Sequence, residues 1–277
     1  MRYSLLFVVS LVFLLVPVAR AQQTPVDTPA VSPGANSGAD QVPTPQLTPR
    51  EAAELHADLF MARKEYPDAV RAYQRLLATD RGNAQVLNKM GVAYQEMLDL
   101  GSAEKYYKKA MKADKTFASA VNNAGTVEYE KKHYGKAVKY YQKALKIRTD
   151  MATIYTNLGY AYFEEKKYPD AVVSFRQALQ IDPTVFDARG EGGAIVQQRS
   201  TTDPGLFYFF VAKSYALAGD AEHAAHFLKQ ARDDGYKEFS SASKDPAFAK
   251  VIKDPRVQAV LTIAPSYATD QRKTVPD

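Results

Sequence analysis

Apolar and polar positions recur along this chain with a period of 34 residues between Ala84 and Val185. The third period, residues 152–185, shows two apolar stripes at helical spacing, separated by the polar segment at 165–167. Small residues hold three fixed offsets of the period: Gly91, Gly125 and Gly159; Ala103, Ala137 and Ala171; and Ala110, Ala144 and Ala178. A strict period with small residues at fixed offsets is typical of a repeat array rather than a single globular core.

Each period predicts a helical hairpin. Pro169 lies where a first helical turn tolerates proline, and Asp182-Pro183 closes the unit. A glycine inside a helix costs about 1 kcal/mol relative to alanine, so the three glycines need a structural reason. Close approach of two helix backbones is the reason that the sequence suggests. We therefore expect leucine at Gly125 to destabilise the fold by about 1–3 kcal/mol through overpacking.

The pattern resembles the tetratricopeptide repeat (TPR) family. In residues 152–185 the resemblance rests on Leu158, Gly159 and Tyr162 of the first helix and on Ala171, Phe175, Ala178 and Pro183 of the second. Three consecutive, correctly spaced copies carry it. The resemblance implies an all-α fold, a right-handed superhelix of helical hairpins with a concave groove.

The 34-residue frame extends in both directions and predicts about five hairpins with a short helical C-terminal cap. Thr48-Pro49 is typical of a helix start, and the first unit is degenerate, with Ala57 at the glycine offset. After Pro183 the frame is interrupted by 19 residues, for which a surface loop is favoured over a binding loop. The predicted repeats are 50–83, 84–117, 118–151, 152–185 and 205–238, with an insertion at 185–204 and a cap at 239–264.

The two termini differ in composition from the repeats. Residues 1–21 combine Arg2, an apolar run and Ala19-Arg20-Ala21, which predicts a cleaved secretory signal and no membrane span after cleavage. Residues 22–47 contain no Lys or Arg and are rich in Pro, Thr, Ala and Ser, which indicates a disordered tether. We expect a flexible tail at 265–277 and a periplasmic or secreted protein without disulfides, since the chain has no cysteine.

The residues predict no enzyme, no cofactor and no metal site. His223 and His226 share a helix face, but no third ligand lies near them in sequence. The chain lacks a nucleophile elbow, a phosphate-binding loop and a zinc-protease motif. Its formal charge of +5 becomes +3 when Arg2 and Arg20 leave with the signal, a mild value that does not indicate a nucleic-acid partner.

The resemblance places the concave face on the first helix of each hairpin. Amides and hydroxyls dominate there, and they suit the backbone of an extended peptide. We therefore predict a non-enzymatic scaffold for a protein or peptide partner, although some of these asparagines support helix packing in the family. The expected partner-binding residues are Asn88, Lys89, Asn122, Asn123, Thr126, Tyr129, Thr156, Asn157, Tyr160 and Phe163.

A second hypothesis is a structural subunit of an envelope assembly that self-associates into a homo-oligomer. Tyrosines occur in adjacent pairs at 106–107 and 140–141. In such a pair one ring packs inward, while its neighbour is available for the outer surface. The sequence leaves both hypotheses open.

Overall fold

The computed structural model describes residues 47–187, 201–236 and 238–262. The predicted signal peptide, the tether up to residue 46, residues 188–200 of the predicted insertion and the tail at 265–277 lie outside this range. Two short 3-10 helices, Phe239–Lys244 and Pro246–Phe248, accompany the α-helices. The described residues form α1 (Pro49–Ala62), α2 (Tyr66–Thr79), α3 (Ala84–Glu96), α4 (Leu100–Ala113), α5 (Ala118–Glu130), α6 (Tyr134–Ile147), α7 (Ala152–Glu164), α8 (Tyr168–Ile181), α9 (Pro204–Ala218), α10 (Ala221–Asp233) and α11 (Pro255–Thr262), with no strand.

The helices pair as five hairpins, α1 with α2 through α9 with α10. The second helix of each hairpin also packs against the first helix of the next one, and α5 contacts both α3 and α7. This stacking confirms the predicted all-α solenoid, a right-handed superhelix of about five hairpins with a helical cap. The first helices α3, α5 and α7 therefore lie side by side on one face.

Each repeat glycine makes room for an aromatic ring of the following helix. A Cβ built on Gly159 would lie 2.3 Å from Phe175 Cε1, and one on Gly91 would lie 2.5 Å from Tyr107 Cε1. The prediction of a close approach between two helix backbones was therefore wrong in its details. The atoms that exclude a side chain are ring atoms of the residue 16 positions later, and both rings are fully buried.

The turn inside each of the first four hairpins contains one residue in the left-handed backbone region. These residues are 34 positions apart, and none is glycine: Lys64, Leu98, Lys132 and Lys166 have φ of 61°, 60°, 61° and 59°. A residue with a Cβ is uncommon in this region because its side chain crowds the following carbonyl. The same strained turn is therefore built into every one of these hairpins.

Side-chain caps define several helix starts, including the predicted start at Thr48-Pro49. Thr48 and Glu51 form a reciprocal capping box at α1, and Asp203 accepts a hydrogen bond from the Leu206 amide at α9. In the cap region, the Asp245 side chain caps the 3-10 turn at Pro246–Phe248. Phe248 and Val257 are buried, so this region covers the end of the solenoid. Among the described residues, no helix has the length and apolar character that crossing a membrane requires.

Candidate functional site

A concave groove of about 640 Å³ runs across hairpins two, three and four. Its walls come mainly from α3, α5 and the start of α7. Val92, Ser119 and Thr153, which occupy partly exposed positions on these helices, line it beside most of the predicted amides. The predicted partner-binding residues that line the groove are Asn122, Asn123, Thr126, Tyr129 and Asn157.

Four side-chain amides on these helices form a chain of hydrogen bonds, which we call the asparagine ladder: Asn88, Asn122, Asn123 and Asn157. Asn157 Nδ2 donates to Asn122 Oδ1 at 2.9 Å, and Asn123 Nδ2 donates to Asn88 Oδ1 at 3.1 Å. Each of these rungs joins residues 35 positions apart. Asn122 Nδ2 donates to Asn123 Oδ1 at 3.2 Å and connects them. The ladder therefore joins three consecutive hairpins through their groove-facing helices.

One end of the asparagine ladder has an unused acceptor. Asn157 is 2% exposed, and within the described ranges no donor reaches its Oδ1 atom. A buried carbonyl without a hydrogen bond costs about 1–3 kcal/mol relative to a paired one. Asn157 lines the groove, but its Oδ1 atom is itself covered, so this unpaired acceptor lies beneath the groove surface.

Lys89, another predicted groove residue, does not line the groove and forms ion pairs with the first hairpin. Lys89 Nζ lies 2.7 Å from Glu54 Oε1 and 2.7 Å from Asp58 Oδ2, both on α1. Burial opposes the charge of this ammonium, but the two carboxylates outweigh burial and raise the pKa of Lys89. Asp58 also accepts a hydrogen bond from the Tyr73 hydroxyl at 2.6 Å. Lys89, which we expected to contact a ligand, is therefore engaged in ion pairs within the chain.

Three predicted groove residues are buried and do not line the groove. Thr156 and Tyr160 are fully buried, and Phe163 is 4% exposed. The Tyr160 ring stacks on Phe207 of α9, with ring centroids 4.8 Å apart, and Phe163 meets the same ring edge-on at 5.5 Å. The apolar end that we expected to accept a ligand side chain is occupied by α9.

Comparison with known protein families agrees with this geometry. Tetratricopeptide repeat family models match residues 84–117 and 152–185, and a TPR repeat model matches residues 125–166. Residues 84–117 and 125–185 therefore contain tetratricopeptide repeats. No curated protein sequence matches the chain.

The chain is also similar to solved structures at low sequence identity. The chain is similar to a Pseudomonas aeruginosa protein, pilF, at 18% identity and a TM-score of 0.50, over 76% of this chain and 88% of that one. It is also similar to MamA from Desulfovibrio magneticus RS-1, at 15% identity and a TM-score of 0.47, over 68% and 96%. YrrB, described as a TPR protein with an unusual peptide-binding site, matches at 18% identity and a TM-score of 0.44, over 67% and 86%.

Sequence reasoning missed the contribution of the hairpin turns to the groove of the TPR array. Leu98 and Lys132, the strained residues of two turns, both line it. Leu98 is 81% exposed, a large apolar side chain at the groove edge. Leu98 and Lys132 are 34 residues apart, so the period could have identified them as equivalent turn residues.

The tyrosine pairs and histidines have partners within the TPR repeats. Tyr107 and Tyr141 are fully buried, while Tyr106 is half-buried and stacks on Tyr94 at 5.3 Å. His223 Nδ1 lies 2.7 Å from Asp220 Oδ2, at the cap of α10. The tyrosines therefore make packing contacts, and His223 makes a capping contact, within the chain.

Proposed function

We propose that this protein is a non-enzymatic scaffold that binds a peptide segment of a protein partner in the concave groove. The observation that carries the proposal is the groove of about 640 Å³ itself, which crosses three consecutive hairpins and is lined by partly exposed amides and hydroxyls. Backbone N–H and C=O groups of an extended peptide are hydrogen-bonding partners of the required kind, and every peptide sequence has them. The TPR repeats determine the fold, and the side chains that line the groove determine which ligand it binds.

The groove surface supports the same proposal. Polar side chains of Ser119, Asn123 and Thr153 offer donors and acceptors, and Leu98 adds apolar area at the edge. Glu96, Glu130 and Lys132 are the charged residues of the lining. A surface with few charges and many amides and hydroxyls suits main-chain contacts more than the binding of a strongly charged ligand.

A peptide selection tests the proposal. A random peptide library displayed on phage is selected on the full chain, and the enriched peptides are measured by fluorescence anisotropy. In the variant Ser119→Tyr/Thr153→Tyr, two partly exposed groove positions carry bulky rings, and we expect it to lose binding. The control Gln177→Tyr/Gln180→Tyr adds the same rings at exposed positions of α8 and should bind normally. No enriched peptide, or equal loss in both variants, would contradict the proposal.

Export is part of the proposal and rests on residues 1–21. The positive start, the short apolar run and Ala19-Arg20-Ala21 support cleavage after Ala21 and a periplasmic or secreted location. Mass spectrometry of the protein from expressing bacteria measures this directly. A chain that begins at Gln22 in the extracytoplasmic fraction is expected, and a full-length chain in the cytoplasm would contradict export.

A further inference from the structure

A second groove lies on another face of the solenoid, between α2 and α4. It has a volume of about 620 Å³ and lies apart from the concave groove, with which it shares no lining residue. We call it the outer groove. Its lining comprises Gln74, Leu77, Ala78, Arg81, Gly82, Leu87, Tyr106, Lys109, Lys112 and Ala113.

The charges of the outer groove all have one sign. Arg81, Lys109 and Lys112 line it, and no carboxylate does. Within the described part of the chain, none of these three cations forms an ion pair. Lys109 Nζ instead lies 4.8 Å from the centre of the Tyr106 ring. Positive charge without a counter-charge on an open surface favours an anionic partner.

The next pair of hairpins provides an internal contrast. The cleft between α4 and α6 is smaller, about 330 Å³, although its rim contains Lys136, Lys139 and Lys143. Two carboxylates, Glu104 and Glu128, line this cleft and pair with cations of the chain. The two carboxylates offset part of the positive charge of this cleft, whereas the lining of the outer groove has no carboxylate.

The floor of the outer groove is apolar. Leu77 and Tyr106 are half-buried and Leu87 is buried, so apolar surface lies recessed between the cations. None of the large apolar side chains that are exposed in the described residues lies in this groove. Recessed apolar surface accepts an inserted side chain, whereas docking on a membrane favours protruding apolar side chains.

We propose that the outer groove binds an acidic protein segment with apolar side chains between its carboxylates. The carboxylates pair with Arg81, Lys109 and Lys112, and an apolar side chain packs between Leu77 and Tyr106. This site is independent of the concave groove, so the protein can hold two segments at once.

The test uses the full chain and a fluorescein-labelled peptide of repeated Glu-Glu-Leu units, measured by fluorescence anisotropy. Lys109→Gln/Lys112→Gln removes two charges from the outer groove. Lys143→Gln/Lys146→Gln is the matched control, since these lysines are exposed and 34 positions later. We expect about a tenfold loss of affinity in the first variant and less than about a twofold loss in the control.

Two altered probes separate the charge from the apolar contact. Replacing Glu by Gln in the peptide removes its charge, and replacing Leu by Ser removes its apolar side chains. Both replacements should weaken binding to the unaltered chain. Equal losses in the two lysine variants, or undiminished binding of either altered peptide, would overturn the proposal.

Two further probes are measured in parallel. One is vesicles that contain phosphatidylglycerol, and the other is a single-stranded oligothymidine. Binding of the vesicles or the oligonucleotide without binding of the acidic peptide would assign the basic surface to a membrane or a nucleic acid, and would overturn the proposal. Retained peptide binding in the Ser119→Tyr/Thr153→Tyr variant would separate this site from the concave groove.

Discussion

Asn157 donates its side-chain amide to the side-chain carbonyl of Asn122, 35 positions earlier and one hairpin away, at 2.9 Å. Asn123 repeats this relationship with Asn88. One repeat earlier still, the 35-residue offset joins Lys89 to Glu54 through an ion pair. The same position of the repeat therefore holds neutral contacts in the central hairpins and a charged contact at the N-terminal end of the array. This series joins the first helices of four consecutive hairpins.

The first prediction concerns the coupling of these amides. Because Asn122 and Asn157 are buried and bonded to each other, alanine at both positions should cost less than the sum of the single changes. We expect a coupling energy of about 1 kcal/mol in a double-mutant cycle measured by urea unfolding. Asn157→Ala combined with Gln180→Ala, an exposed residue of α8, should be additive. Additive behaviour of the asparagine pair would show that the rung does not stabilise the fold.

The second prediction concerns the glycine that faces an aromatic ring. Gly159→Ala places a Cβ 2.3 Å from Phe175 Cε1 and should destabilise the protein by about 1–3 kcal/mol. Gly101→Ala is the control, because its Cβ in α4 meets only Asp99 Oδ1 at 3.6 Å. That change should stabilise the helix by up to about 1 kcal/mol. Thermal unfolding followed by circular dichroism measures both, and shifts of the same sign would contradict the ring-contact explanation.

The third prediction concerns pH. Hydrogen bonds from Lys108 and then Lys131 lower the pKa of Glu104 to about 2 from its ordinary value of 4.5. Since the folded pKa is the lower one, the stabilisation is complete above pH 4.5 and decreases as pH falls towards about 2.

Glu104→Gln tests this dependence. We expect the variant to be less stable than the unaltered protein by about 1 kcal/mol at neutral pH, as is typical of partly exposed ion pairs. Urea unfolding at a series of pH values should show this difference in stability shrinking steadily as the pH falls below 4.5. A difference that stays constant would show that Glu104 contributes by packing instead of by charge.

The fourth prediction concerns the turn residue Leu98. Its φ of 60° is one that asparagine adopts more readily than leucine, and its side chain is 81% exposed. Leu98→Asn should therefore raise the free energy of unfolding by about 1 kcal/mol. The same variant should bind groove-selected peptides more weakly, because it removes apolar surface from the groove edge.

A control separates these two effects. Leu47→Asn also removes an exposed leucine, but this position lies outside the concave groove and outside the left-handed region. It should change neither stability nor peptide binding by a comparable amount. If Leu98→Asn lowered stability, the turn would not be strained.

The helices and their stacking follow from the sequence because each contact is local and repeats. Gly159 and Phe175, for example, meet inside one hairpin, so the 34-residue period carries the information. The groove lining was harder to predict. Thr126 and Tyr160 share one offset of the repeat, yet Thr126 lines the groove and Tyr160 lies under Phe207. The two positions differ because hairpin five, which follows an interruption of the 34-residue frame, covers Tyr160.

Lys89 shows the same limit at the other end of the array. Its offset is that of Asn123 and Asn157, and its side chain length suits an exposed ligand contact. Glu54 and Asp58 come from the degenerate first unit, where the repeat pattern gives little guidance to their position. Local periodicity therefore predicts the fold, whereas the chemistry of each groove position depends on residues that break the period.

The asparagine ladder also determines how this array could grow. Residues 118–151 carry both halves of a rung, an acceptor at Asn122 and a donor at Asn123. A duplicated copy inserted after Met151 would bond to its own original and add one rung. A duplicate of residues 152–185 would not add an amide rung, because Thr156, which has no side-chain amide, stands at the acceptor position. Lengthening by gene duplication is thus compatible with a continuous ladder only at the central hairpin.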